Sequence, residues 1–294
     1  MPGVKIQKKP RFKDIQIDAN GQFRASGTGW FSWSDLYHTL LTVRWIWFFL
    51  GFVATFWAIN AVFGTLYYLS GGIAGATRIT FLDCFFFSVQ TLSTVGYGHL
   101  HPENLLANIL VAIEILIGLF LISTLTGLIF ARFSRPKARI LFSTVAVVHV
   151  RDGKPTLSFR LANERSTHVS EAHIKVTLLR DVETQEGHKM RRFLDMKLVR
   201  DETPALLLSW TVMHIIDENS PLYGISENEF ANGNMTVMIA MNGYDPVLAQ
   251  TVQKNHAYLP GQIIWNAEFD DSIERISANR TRLHYDRLSA IRNG

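Results

Sequence analysis

The sequence is poor in the groups on which enzymes and disulfide-stapled domains depend. Its single cysteine, Cys84, excludes an intrachain disulfide, as expected of a chain whose mass lies mostly in a reducing compartment. The ten histidines show no HExxH or comparable metal spacing. Nucleophile elbow, Walker loop and dinucleotide fingerprint are all missing, so the chain reads as a non-enzyme without a bound cofactor. It also lacks an Arg-rich voltage-sensing helix, internal repeats and low-complexity tracts. The net charge of +4 comes with no nucleic-acid-binding signature, and no nucleic-acid partner is expected.

Charge is absent from two long stretches as well. Residues 45–69 (WIWFFLGFVATFWAINAVFGTLYYL) carry none, and residues 105–131 (LLANILVAIEILIGLFLISTLTGLIFA) carry only Glu114. Each exceeds the roughly 20 residues that cross about 30 Å of hydrocarbon as a helix. Trp45, Trp47, Tyr67 and Tyr68 stand at the two ends of the first run, where amphipathic rings suit the interfaces. With a long polar lead and no cleavage site, that run reads as a span and not as a signal peptide. Basic residues lie outside the pair: Lys5, Lys8, Lys9, Arg11, Lys13, Arg24 and Arg44 before it, Arg132, Arg135, Lys137 and Arg139 after it. Only Arg78 lies between, so both termini are expected in the cytoplasm.

Between the spans, residues 70–77 form a small turn, and residues 80–92 follow as an apolar segment too short to cross. It is a candidate re-entrant helix, which membrane depth tolerates only where protein or water shields the backbone. Residues 1–29 read as a flexible cytoplasmic lead. Residues 30–44 place Trp33, Leu36, Tyr37, Leu40 and Leu41 on one stripe, which suits an amphipathic helix on the inner leaflet. After Pro136 the pattern turns to short alternating strands, at 145–150, 156–161, 172–179, 206–212, 235–240 and 262–265, with a hairpin signal at Asp152-Gly153. Residues 136–294 therefore read as one β-sandwich. Within the membrane portion, residues 45–135, the outer helix is expected at 45–69 and the inner helix at 104–133.

Residues 94–98 read TVGYG, and they resemble the selectivity-filter loop of potassium channels letter for letter. Further segments extend the resemblance: FFFSVQTLSTVGYG (85–98), ARFSRPKARILFS (131–143), FRLAN (159–163), SEAH (170–173) and MHIIDENSPLYG (213–224). Together they resemble the prokaryotic inward-rectifier potassium channels, the KirBac family, from about residue 30 onward. The fold this implies is a two-transmembrane-helix pore, all-α with a re-entrant pore helix, plus a cytoplasmic all-β immunoglobulin-like sandwich. A single loop cannot surround an ion, and cyclic symmetry closes the ring, in keeping with the homotetramer that the family implies.

The resemblance assigns roles by position. The carbonyls of Thr94, Val95, Gly96 and Tyr97, closed by Gly98, would hold dehydrated K+ as the permeant ion. Gly118, Ile122, Thr126 and Phe130, drifting about 40° per step along a helix, would follow the cavity down to a gate at Phe130. Ile122 stands where strongly rectifying relatives carry Asp or Asn, and Gln90 stands where many relatives carry a Glu paired with an Arg. Arg44, Arg132, Arg135, Lys137 and Arg139 would contact anionic lipids, phosphoinositides among them, with inhibition in prokaryotic members. Glu171, Glu202 and Asp245 would line the cytoplasmic pore. Glu114 is expected in a hydrogen-bonded structural role behind the filter. The family places the chain in the bacterial inner membrane. The competing expectation is a two-span sensor with a non-conducting pore and a ligand-binding cytoplasmic domain.

Overall fold

A computed structural model describes residues 14–17, 23–26 and 35–293. They fall into two compact units, one within Trp30–Arg135 and one comprising Pro136–Gly294 with the N-terminal stretch.

The first unit is helical. Helix α1 spans Leu36–Thr42, so the structure gives a shorter element than the expected interfacial helix, whose residues 30–34 lie outside the described residues. It stops at Val43, where ψ swings to 151°, and α2 begins two residues later, running Trp45–Ser70 to a left-handed Gly71. A two-residue strand β3 (Ile73–Ala74) pairs with β4 (His101–Pro102). Between them lies helix α3, Phe81–Leu92. Helix α4, Leu105–Phe133, starts under the Asn104 side chain, which accepts the Ala107 N–H at 2.7 Å.

Helices α2 and α4 hold 26 and 29 residues. At 1.5 Å per residue each reaches beyond the roughly 30 Å of a bilayer core. Only 17% of the most apolar stretch of either helix is buried, so these are not the core helices of a soluble fold. What is buried is small: Phe63, Tyr67, Ile73, Cys84, Phe87 and Ala107 pack where α2 and α4 grip α3.

The second unit is a sandwich of two sheets, built from strands β5 (Ile140–Phe142), β6 (Ala146–Arg151), β7 (Lys154–Asn163), β8 (Val169–Glu183), β9 (Lys189–Met196), β10 (Glu202–Leu206), β11 (Ser209–Ile215), then β12 (Thr236–Asp245), β13 (Gln250–Tyr258) and β14 (Ile263–Trp265). One sheet has the order β10-β8-β12-β13 with β9 beside β8; the other has β11-β7-β6-β14 with β5 beside β7. Alternate residues of both, among them Leu157, Phe159 and Leu161 facing Val176, Leu178 and Ile239, fill one core, closed by Phe230 of helix α5 (Glu227–Asn232). Strands β15 (Ala267–Phe269) with β18 (Ile291–Asn293), and β16 (Ile273–Ser277) with β17 (Arg280–Leu283), form two small further sheets.

The hairpin at Asp152-Gly153 is present: Arg151 pairs with Lys154, and both turn residues have positive φ, 49° and 75°. That is the geometry a two-residue primed turn needs. Two expectations are corrected. The apolar run 206–212 is not one strand, because the chain leaves the first sheet at Leu206 and enters the second at Ser209. Its even hydrophobicity concealed the crossing, since both halves face the same core. The lead, expected to be flexible, contains two paired strands, β1 (Asp14–Ile17) and β2 (Phe23–Ser26). Their alternation, DIQI and FRAS about an Asn20-Gly21 turn signal, was a legible hairpin pattern.

Candidate functional site

Helix α3 begins with a capping box. Thr80 N–H donates to Asp83 Oδ2 at 2.9 Å, and Asp83 N–H donates to Thr80 Oγ1 at 3.3 Å. Its other end delivers the chain into 94–98. There the Val95 and Gly96 amides converge on one acceptor, the Gln90 carbonyl, at 2.9 and 3.3 Å. Thr94, Gly96 and Gly98 have φ of 58°, 55° and 80°, whereas Val95 and Tyr97 lie outside the positive-φ region. Alternation of hand makes a concave nest of amides on one side and leaves carbonyls on the other. Glycine adopts positive φ freely, but a β-branched threonine resists it, so Thr94 is held there by its surroundings. Tyr97 is 79% exposed within the protomer.

Behind this loop a polar cluster ties the three helices of the unit together. Glu114 of α4 is fully buried. Its Oε2 accepts the Tyr67 hydroxyl of α2 at 2.6 Å, and its Oε1 lies against Ser88 Oγ of α3. Ser88 Oγ also sits 3.0 Å from Asn60 Oδ1 of α2, whose Nδ2 donates to the Phe56 carbonyl at 2.7 Å. Sequence reasoning singled out Glu114 but not Ser88 or Asn60. It placed Tyr67 at the interface, which the structure corrects: Tyr67 is fully buried, with its hydroxyl on Glu114. The signal was present: Asn60, Gly64 and Tyr67 recur at helical spacing on one face of an uncharged span. Gly64 belongs to that face because a Cβ there would come 2.8 Å from Phe85 Cα.

On α4 the four expected cavity positions separate. Gly118 is buried against the last turn of α3, where a Cβ would run into the Leu92 carbonyl oxygen. It lets two helices approach, so within the protomer its role is close packing. Ile122, Thr126 and Phe130 are exposed in the protomer, Phe130 at 72%.

The basic residues also divide. Arg44 occupies the N-cap position of α2 and is exposed. Arg132 turns inward, donating to the Leu40 and Val43 carbonyls at 2.7 and 2.5 Å. Arg135 is exposed, with a 3.4 Å bond to the Leu41 carbonyl. Lys137 and Arg139, exposed in the second unit, lend their backbone carbonyls to Arg165 Nη2 and the Glu164 amide.

Of the three acids expected along a cytoplasmic path, two are exposed. Glu171 has φ of 48° and sits where β8 and β12 lose register, between Asn242↔His173 and Tyr244↔Ser170. A bulge of this kind re-aims a side chain. Glu202 is 70% exposed, with His173 Nδ1 3.5 Å away. Asp245 is a correction, because it is only 2% exposed. Its Oδ2 holds Arg165 Nη1 at 2.5 Å, and its Oδ1 accepts the Val247 and Leu248 amides at 3.0 and 3.2 Å. An Asp preceding Pro246 in a turn bonds amides two and three residues on, and that local role claims the carboxylate.

A family profile described as "Inward rectifier potassium channel C-terminal domain" matches residues 140–293, and one described as "Ion channel" matches residues 52–135. Inward rectifier potassium channel Kirbac3.1 of Paramagnetospirillum magnetotacticum is 38% identical over 97% of this chain and 96% of its own length. Inward rectifier potassium channel irk-1 of Caenorhabditis elegans is 30% identical over 80% of this chain and 48% of its own. Inward rectifier potassium channel 4 of Homo sapiens is 31% identical over 81% and 62%. The two profiles fall one on each unit, and the first of these relatives aligns across both. With two helices long enough to cross a bilayer and an all-β domain after them, the chain is a membrane protein that belongs to the inward rectifier potassium channels, a family of ion channels and not of enzymes.

Proposed function

We propose that four copies of the chain surround one potassium pore in the bacterial inner membrane, with both termini in the cytoplasm. Carbonyl oxygens of Thr94, Val95, Gly96 and Tyr97 replace the hydration shell of K+, and Gly98 completes the loop. The observation that carries this reading is the alternation of hand along 94–98, with the Val95 and Gly96 amides drawn back to the Gln90 carbonyl. The negative end of the α3 dipole faces the cavity and favours a cation there. Glu114, with Tyr67, Ser88 and Asn60, fixes α3 behind the filter.

The inner end of α4 gates the pore, with Phe130 from each subunit forming an apolar constriction that excludes water when closed. Ile122 offers no charge to a blocking cation, so rectification is weak. Exposed Arg44, Arg135, Lys137 and Arg139 attract anionic head groups, phosphoinositides among them, at about 1 kcal/mol per near-surface charge. Glu171 and Glu202 raise the cation concentration along the cytoplasmic path. Tracer rubidium uptake into proteoliposomes tests the conducting reading. Barium-sensitive uptake is expected, abolished by Gly96→Ala, whereas uptake indifferent to barium would reject it.

A further inference from the structure

We propose that Arg132 is a latch tying the interfacial helix α1 to the inner helix α4, and thus a positioning residue for gating instead of a contact for lipid head groups. The inference rests on the reading of Phe130, two residues before it, as the gate. Three observations carry it. The last turn of a helix leaves carbonyls without intrahelical partners. At this end of α1 three carbonyls, those of Leu40 and Leu41 in its last turn and of Val43 at its C-cap, are taken by arginines at or just beyond the end of α4. Arg132 supplies two of the bonds, one from each terminal nitrogen, so its fork is spread across the corner between α1 and α2.

The same guanidinium lies over aromatic faces of the first turn of α2, 4.3 Å from the Trp45 ring centroid and 4.6 Å from that of Phe48. Trp45 in turn packs against Phe133 of α4 at 5.1 Å. Arg132 therefore bonds α1, stacks on α2 and belongs to α4. A displacement of α1 along the membrane surface pulls on the turn of α4 that carries Phe130. Lysine cannot reproduce this arrangement, because a single ammonium lacks the planar fork that reaches two carbonyls while stacking on a ring. Its neighbour Arg135 is exposed and makes one long bond, so it keeps its donors for other partners.

The test uses the full chain in proteoliposomes of phosphatidylcholine alone, where no anionic head group is present. Arg132→Lys and Arg132→Gln should change rubidium flux alike, by about tenfold, the ratio set by one charged hydrogen bond made in only one gating state. Arg135→Gln, which loses one long bond to the Leu41 carbonyl, should change that flux less than either Arg132 variant and should weaken the response to added phosphoinositide. A spin label at His38→Cys, exposed on α1, reads the latch independently of conduction, since the only native cysteine, Cys84, is buried. The label should become more mobile in both Arg132 variants. Wild-type flux and label mobility in Arg132→Lys would show that charge alone suffices and would overturn the latch. Should the Arg132 variants fail to assemble, Trp45→Leu, which keeps Arg132 but removes the ring that it and Phe133 pack against, should still free the label; unchanged mobility there overturns the proposal. Absence of barium-sensitive flux in the wild type would sink the channel reading and leave the label to decide on the latch.

Discussion

At the scale of single residues, Glu114 is where the three helices of the pore unit meet. Glu114→Ala strands the Tyr67 hydroxyl and removes an acceptor from Ser88 in a dry site. A loss on the order of 3 kcal/mol follows, the cost of leaving buried polar groups without partners. Thermal unfolding in detergent should show a clear drop in midpoint, and Glu114→Gln, which retains an acceptor, a smaller one. A midpoint equal to wild type would contradict the role. His214 makes a second test. Its Nδ1 donates to the Lys197 carbonyl at 2.7 Å, so its Nε2 accepts the Ser220 hydroxyl at 2.7 Å. Burial pushes its pKa below the ordinary imidazole value, against smaller opposing effects of the Lys197 carbonyl and Asp217. A folded-state value below the unfolded one means that stability is complete above about pH 6.5 and is lost as pH falls further. Burial lowers His149 in the same direction. The unfolding midpoint should fall between pH 7.5 and 5.5 (roughly one unit either side of the free value), and fall less in His214→Asn. An equal fall in both proteins would remove His214 as the cause.

Residues were also where the sequence was least legible. Glu114 stood out because a carboxylate in an apolar run is conspicuous, yet its partners are spread over two other helices and only the fold brings them together. Asp245 misled for the opposite reason. Its acidity is visible in sequence, but its burial depends on Arg165, eighty positions away in the chain.

At the scale of elements, α4 carries three exposed positions at four-residue intervals, Ile122, Thr126 and Phe130, below a glycine that seats it on α3. On the proposed reading of Phe130 as the gate, each ring in the closed pore would be held by apolar burial of on the order of 2 kcal/mol. Phe130→Ala should accordingly raise basal rubidium flux by about tenfold or more at equal protein density. Flux that is unchanged or lower would move the constriction elsewhere. Long elements were legible because their periodicity and lack of charge extend over many residues, as in α2 and α4. The hairpin at Asp152-Gly153 was legible because its turn chemistry is local. The crossing at Leu207-Leu208 was hidden because apolar residues are required on both sides of it. The bonding of α1 to Arg132 was hidden because backbone carbonyls leave no trace in a sequence.

At the scale of the whole molecule, an α-helical pore unit and a β-sandwich follow from two kinds of solvent. The first exposes apolar faces to lipid and subunit neighbours and buries only a small cluster around α3. The second buries one contiguous core between two sheets, as a water-soluble domain must. That division was visible in the change of pattern at Pro136. The placement of conduction in four chains and not in one is the proposition from which the filter, gate and latch take their meaning. Its most direct test is the reversal potential of the purified protein in a planar bilayer with potassium on one side and sodium on the other. The account predicts a current that reverses close to the potassium equilibrium potential; reversal near zero, as for an unselective water-filled pore, would contradict it.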